Sequence, residues 1–236
     1  MTTEFGTHQF WAIVPAAGTG SRMRADRPKQ YLPLGRKTVI EHSLEALLAH
    51  PVIAGVVVAL AEDDRYWNSL ELAQDKRIIR VAGGVERQDS VLNALCWLED
   101  NNYGNAWALV HDAARPCLQQ QDIDSLVSAV HVTGDGAVLG APVRDSLKRV
   151  DSCRRIVDVV DRSHCWQAFT PQVFPVAALA LALRQCRDQG VPVTDEAMAM
   201  SRMGVNASMV EGCLSNIKIT QPMDLALAER LLQEEL

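Results

Sequence analysis

Short β-branched runs alternate with segments of helical periodicity along this chain, and that alternation predicts an α/β fold, a mostly parallel sheet covered by helices. Two further observations agree. Apolar residues make up 48% and charged residues 22% of the 236 residues, which is the usage of a chain with a large core and not of a disordered one. No segment repeats, and no tract rich in Gly, Ser and Pro divides the chain. The whole of 1–236 therefore reads as one domain with an appendage.

The first strand is expected over Phe10–Val14, where every residue is apolar. A helix follows over Val39–Ala49, because Val39, Ile40, Leu44, Leu47 and Leu48 share one face. Gly55–Leu60 and Arg77–Val81 supply the next strands. Val91, Leu92, Leu95 and Leu98 then lie on one face of a second helix, which Asp89 or Ser90 would cap. Strands at Ala106–His111, Gly136–Ala141 and Ala207–Glu211 complete the sheet. Helices are expected over Asp122–His131, Val176–Asp188, Asp195–Met203 and Met223–Glu234, with Thr194 and Gln221 or Thr220 as caps.

One stretch, Pro142–Gln172, breaks the rhythm: strand-like pieces such as Ile156–Val160 are interleaved with charges. It reads as an excursion from the sheet. A hairpin that cannot bury its own apolar face needs another surface, and a symmetric partner subunit is the usual supplier.

The formal net charge is −6, which argues against a nucleic-acid partner and against an anionic membrane surface. The longest nearly uninterrupted apolar run, Val52–Ala61, is about half the ~20 residues of a membrane helix. The opening residues carry Glu4 and lack a basic start followed by an apolar stretch, so no secretion signal is read and a cytoplasmic location is expected. Six scattered cysteines form no CxxC pair and read as reduced thiols.

Three segments carry the chemistry. Pro15, Ala16, Ala17, Gly18, Thr19 and Gly20 follow the first strand directly. A turn of small residues there brings backbone N–H groups close to a phosphate, although such a turn is also a common connection. Neither GxGxxG nor GxxxxGK[ST] is present, which removes the dinucleotide and Walker readings. The continuation through Arg22, Arg24, Arg27 and Lys29 places four cations beside one acid, Asp26, in an otherwise acidic protein. Arg24 and Arg27 read as solvated, whereas the glycines and Pro28 would hold Arg22 and Lys29 in place.

The second segment, His111-Asp112-Ala113-Ala114-Arg115, ends a buried strand, where ligands sit in open α/β sheets. A lone carboxylate there suits Mg²⁺, which takes one or two carboxylates together with substrate phosphate oxygens. Asp112 is the expected metal ligand, with a turn or cap role as the alternative. His111 reads as a hydrogen-bonded strand residue and not as a base. The third segment, Gly83 to Ser90, permits close backbone approach but is also explained by capping alone.

Taken together, the motifs PAAGTGSRM, RPKQYLPL, GGVERQDSV, VHDAARP, APVRDSLKR, FTPQ, TDEA and NIKIT, in that order from about Trp11 to about Glu229, resemble the 2-C-methyl-D-erythritol 4-phosphate cytidylyltransferase family. The resemblance implies a Rossmann-like nucleotidyltransferase fold, a three-layer sandwich whose protruding β-arm, within 142–172, joins a homodimer. It implies CTP and methylerythritol phosphate as substrates and Mg²⁺ as cofactor, with other divalent cations as alternatives. By motif, Pro15 to Gly20 and Arg22 would wrap the triphosphate, and Lys29 would contact the α-phosphate. Ala16, Ala17, Gly84 and Ser90 would frame the cytosine and its sugar. Asp112 would bind Mg²⁺. Ala113, Arg115, Thr170 and Lys218 would hold the acceptor, with Ser146 and Arg162 reaching in from the partner's arm. Arg22, Lys29 and Lys218 are the expected catalytic cations. Val85 stands where the family is often acidic, and Ser146 where Thr is common.

The implied reaction is in-line attack by the acceptor's phosphate on the α-phosphorus of CTP, releasing pyrophosphate. A phosphate monoester has its second pKa near ~6 and is mostly dianionic at neutral pH, so no general base is needed. This agrees with the lack of any Ser/His/Asp pattern. A ribitol 5-phosphate cytidylyltransferase, a sugar-nucleotide pyrophosphorylase and a non-catalytic nucleotide-binding module are the rival readings.

Overall fold

The computed structural model describes residues 9–18, 20, 23 and 26–233. Eleven strands and six α-helices occur in these residues. In chain order they are β1 (Phe10–Pro15), β2 (Pro33–Leu34), β3 (Lys37–Thr38), α1 (Val39–Leu48), β4 (Ile53–Leu60), β5 (Ile78–Ala82), α2 (Arg87–Asp100) and β6 (Trp107–Val110). Then come α3 (Gln120–Thr133), β7 (Ala137–Pro142), β8 (Leu147–Val150), β9 (Ile156–Val160), β10 (Trp166–Pro175), α4 (Val176–Asp188), α5 (Glu196–Arg202), β11 (Ser208–Glu211) and α6 (Pro222–Gln233).

Seven strands form the central sheet in the order β11-β7-β10-β6-β1-β4-β5. All pairings are parallel except those of β10, which runs antiparallel to both β6 and β7. The sheet is three-layered because its inner strands alternate two apolar faces. Phe10, Ala12 and Val14 of β1 pack with Ile40, Leu44 and Leu47 of α1 and with Ile123, Leu126 and Val130 of α3. Trp11 and Ile13 turn to the other side, against Val91, Leu95 and Leu98 of α2 and Val176, Leu179 and Leu183 of α4. Strands buried on both faces read as continuous apolar runs, and this is why β1, β4 and β6 stood out in the sequence.

Each expected strand and helix is present, with bounds shifted by a few residues at most. Three expectations need correction. Trp166–Gln172, read as part of the excursion, belongs to β10 inside the central sheet, where Gln172 pairs with Val110 and with Val138; the projecting part is the β8–β9 hairpin. The cap of α2 is neither Asp89 nor Ser90: Glu86 holds that place, and its N–H donates to the Asp89 carboxylate at 3.0 Å. Asp195 and not Thr194 caps α5, accepting from the N–H of Met198 at 3.0 Å.

The hairpin pairs Leu147 with Val160 and Lys148 with Val159. It leaves Val150, Ile156, Val157 and Val159 exposed, Ile156 by 65%. Among the described residues, no helix is long and apolar enough to cross a membrane.

Candidate active site

The carboxyl ends of β1, β4, β5 and β6 converge on one edge of the sheet. Chain continuation there is tied tightly: the N–H of Ala16 donates to the carbonyl of Ala59 at 2.8 Å, and that of Gly83 to the carbonyl of Leu60 at 2.7 Å. A cleft of about 530 Å³ opens above these ends. Its wall includes Pro15, Ala16, Ala17, Gly18, Gly20, Lys29, Gly84, Ser90, Asp112, Ala113 and Lys218, all of them singled out in the sequence. Thr19 and Arg22 lie outside the described residues.

The small-residue turn after β1 is held from behind by Gln30, a buried residue that sequence reasoning passed over. Its Nε2 donates to the carbonyls of Ala16 at 2.6 Å and Gly18 at 3.0 Å. Gly20 has φ +66°, and a Cβ there would sit 2.7 Å from Cγ of Lys29. Glycine is required both for the left-handed backbone and for the Lys29 stem to cross beside it. The ammonium of Lys29 donates to the carbonyl of Ile219 at 2.9 Å.

Gly84 approaches Asp89 so closely that a Cβ would meet its neighbour at 2.2 Å. The N–H of Gly84 donates to Oγ of Ser90 at 3.0 Å, and Ser90 Oγ in turn donates to the carbonyl of Glu86 at 3.3 Å. The third motif therefore closes on itself as a wall.

Asp112, one residue beyond His111 at the end of β6, is 7% exposed and surrounded by cations. Arg87 Nε lies 3.0 Å from Oδ1; Lys218 Nζ lies 2.7 Å and Arg115 Nε 3.8 Å from Oδ2. Burial alone would raise this carboxyl, but Arg87, Lys218 and Arg115 together hold it well below the usual range. Asp112 is ionised at any ordinary pH.

Arg87 is the other residue that sequence reasoning missed. Burial works against its charge, yet Glu196 and Asp112 outweigh burial and raise its pKa. Nothing in GGVERQDS distinguishes it from a surface arginine, because its main partner, Glu196, lies 109 positions away.

Arg115 and Thr170 lie beneath the cleft and not on its wall. The Nη1 group of Arg115 donates to the carbonyl of Asn216 at 2.6 Å, its guanidinium lies over Phe169 at 5.2 Å, and burial lowers its pKa. Thr170 Oγ1 accepts from the N–H of Asp112 at 3.1 Å. Asn216 Nδ2 donates to the carbonyl of Thr170 at 2.8 Å, which links β10 to the loop that brings Lys218. Ser146 and Arg162 flank the hairpin and are exposed.

His111 is no base for this cleft. Its Nε2 is 3.0 Å from the carbonyl of Arg115 and its Nδ1 3.2 Å from Thr170 Oγ1, and burial pushes its pKa down to about 4. Among the described residues, no three His, Cys, Asp or Glu side chains gather as a metal cage. Asp112 is one ionised carboxylate on the wall of the cleft, and with both oxygens paired to Arg87, Lys218 and Arg115 it suits Mg²⁺ only in company with substrate phosphate oxygens, the pattern that this ion favours.

Comparison with known proteins agrees with this architecture. Residues 10–234 match the family model described as IspD, 2-C-methyl-D-erythritol 4-phosphate cytidylyltransferase. The 2-C-methyl-D-erythritol 4-phosphate cytidylyltransferase of Vibrio vulnificus (strain YJ016) is 53% identical over 224 residues, covering 95% of this chain and 94% of that one. The enzyme of the same name from Tolumonas auensis is 52% identical over 226 residues, covering 96% and 97%. The crystal structure of the Francisella tularensis 2-C-methyl-D-erythritol 4-phosphate cytidylyltransferase superposes with a TM-score of 0.82 at 31% identity, covering 94% of this chain and 99% of that one.

Proposed function

The chain belongs to the 2-C-methyl-D-erythritol 4-phosphate cytidylyltransferase family, and on that premise we propose how its cleft joins CTP to 2-C-methyl-D-erythritol 4-phosphate, giving 4-diphosphocytidyl-2-C-methyl-D-erythritol and pyrophosphate. One observation carries the reading: Asp112, encircled by Arg87, Lys218 and Arg115, shares a cleft with Lys29 and the small-residue turn after β1.

The difficulty of this reaction is electrostatic. Two polyanions must meet, and negative charge builds on the α-phosphate oxygens and the departing pyrophosphate. Fixed cations lower both barriers without reorganising at the moment of reaction. The turn from Pro15 to Gly20, with Arg22, wraps the triphosphate, and Lys29 faces the α-phosphate. Ala16, Ala17, Gly84 and Ser90 frame the cytosine and ribose. Lys218 and Ala113 receive the acceptor, with Arg115 and Thr170 beneath them. Asp112 would hold Mg²⁺, which when bound supplies charge stabilisation and orientation to the phosphate oxygens.

The acceptor is already dianionic at neutral pH, so its own oxygen serves as nucleophile. This agrees with the engagement of both His111 nitrogens and of Ser90 Oγ, which leaves neither group poised to attack or to take a proton.

The molecule works as a homodimer in the same reading. Four exposed apolar residues on the β8–β9 hairpin need cover, and a second copy placed on that arm would bring the partner subunit's Ser146 and the partner subunit's Arg162 to the acceptor end of the cleft. A cytoplasmic location is part of this proposal.

The test is pyrophosphate release with each of the four nucleoside triphosphates against methylerythritol phosphate and ribitol phosphate, with and without a chelator. Release is expected with CTP and methylerythritol phosphate and is abolished by chelation. A preference for ATP, for ribitol phosphate or for no acceptor would overturn the assignment.

A further inference from the structure

The short 3-10 helix at Lys29–Tyr31 gives three consecutive side chains three different partners. Lys29 crosses beside Gly20 to the carbonyl of Ile219, and the Tyr31 hydroxyl donates to a carboxylate oxygen of Asp64 at 2.8 Å. Between them Gln30, 4% exposed, commits both N–H groups of its amide to the turn after β1, one to the carbonyl of Ala16 at 2.6 Å and one to that of Gly18 at 3.0 Å. No other donor among the described residues reaches either carbonyl.

In a trans peptide group the carbonyl and the N–H point opposite ways. Among the described residues the one cis bond is Thr170–Pro171, so the grip on the Ala16 carbonyl also sets the N–H of Ala17, which points away from Gln30. Ala17 lies on the cleft wall, and its N–H donates to no other described residue. A turn that presents N–H groups attracts an anion, whereas one that presents carbonyl oxygens repels it.

We propose that Gln30 is a positioning residue for nucleotide capture: its amide holds the turn after β1, before CTP arrives, in the form that receives it. The proposal rests on the reading of that turn as part of the nucleotide site.

Without the amide both carbonyls lose their donor and the turn samples other forms. The affinity for CTP then falls with the fraction of molecules that remain competent. Bound CTP selects the competent form, so turnover at saturation is spared. Lys29 keeps its own tie to the Ile219 carbonyl, which does not pass through Gln30.

The experiment measures CTP binding by calorimetry, with Mg²⁺ present and the acceptor absent, for the wild type and for Gln30→Met, which keeps the length of the side chain and loses both donors. The Kd for CTP should rise on the order of 10-fold, the scale on which two ordinary hydrogen bonds bias a local equilibrium. The kcat at saturating CTP and the KM for methylerythritol phosphate should hold. A residue that merely supports the fold predicts a lower melting temperature with CTP affinity intact below it. Unchanged CTP affinity in Gln30→Met, or a loss of kcat as large as that in Lys29→Ala, would overturn the proposal.

Should Gln30→Met be recovered unfolded, Gln30→Asn decides alone, because its amide stops one methylene short of the two carbonyls: weakened CTP binding supports the proposal, and wild-type affinity contradicts it. Amide NMR spectra of the wild-type protein separate this proposal from the reading beneath it. CTP should shift the Ala17 and Gly18 resonances. No shift there would take the turn out of the nucleotide site, and the proposal with it; shifts there beside unchanged affinity in Gln30→Met would remove the role of Gln30 alone.

Discussion

The ammonium of Lys218 stands 2.7 Å from a carboxylate oxygen of Asp112, and the next residue, Ile219, accepts a hydrogen bond from Lys29. One short segment between β11 and α6 thus brings one cation to the wall of the cleft and steadies another. The acceptor end and the nucleotide end share a support, and loss of either cation should be separable in kinetics.

Lys29→Ala should lower kcat by about 100- to 1,000-fold, the scale of losing one preorganised group that faces developing charge, with much smaller changes in KM. Lys218→Ala should chiefly raise KM for methylerythritol phosphate. Steady-state kinetics with each substrate varied in turn distinguishes them. A Lys29→Ala enzyme with intact turnover and raised KM alone would exclude the role given to Lys29.

Gly20→Ala should reproduce part of the Lys29 defect without altering any charge. The new methyl group would meet the Lys29 stem at 2.7 Å on a backbone with φ +66°. A non-glycine residue in that region costs on the order of 1–2 kcal/mol. Thermal melting should register a small loss, and kcat should fall while the KM for the acceptor holds.

His111 predicts a pH window for stability. Burial lowers its pKa from the ordinary 6.5 to about 4, so between those values the unfolded chain binds a proton that the folded chain does not. Its contribution is complete above about pH 6.5 and is lost as pH falls towards 4, roughly 2–4 kcal/mol in all. Urea unfolding at pH 7.5 and 4.5 measures it. The difference between the two pH values should shrink by that amount in His111→Gln, and an unchanged difference would contradict the assignment.

Shared sites across a dimer give a complementation test. Lys29→Ala and Arg162→Ala proteins, each weakly active, should regain activity when mixed and allowed to exchange subunits, because one hybrid cleft then holds both residues. No recovery despite demonstrated exchange would remove Arg162 from the acceptor site.

The layers of the fold were legible because burial on both sheet faces leaves its mark on each inner strand: Phe10–Val14 and Gly55–Leu60 can be nothing but apolar where helices cover both sides. β10 was not legible. It carries Pro171 and polar residues in mid-strand, which argues against a central strand in sequence. In the fold, the pairing with β7 shifts register between Ala168 and Gln172, so Pro171 falls in an irregular part of the ladder.

The cleft was legible wherever a local pattern carried it. Glycines beside a strand end, and a carboxylate after an apolar run, announce themselves within a few residues, and Pro15 to Gly18, Gly84 and Asp112 all line the cleft. Arg87, Gln30 and Asn216 act through partners elsewhere in the chain, namely Glu196, the carbonyls of Ala16 and Gly18, and Thr170. No local spacing marks such pairings, because the fold alone creates the proximity.

The claim that the acceptor phosphate itself attacks the nucleotide is tested most directly by stereochemistry at the α-phosphorus. CTP bearing sulfur in place of one α-oxygen, in a single configuration, is turned over and the configuration of the product determined. A single in-line displacement in this cleft predicts inversion; retention would require a covalent cytidylyl-enzyme and would contradict the account.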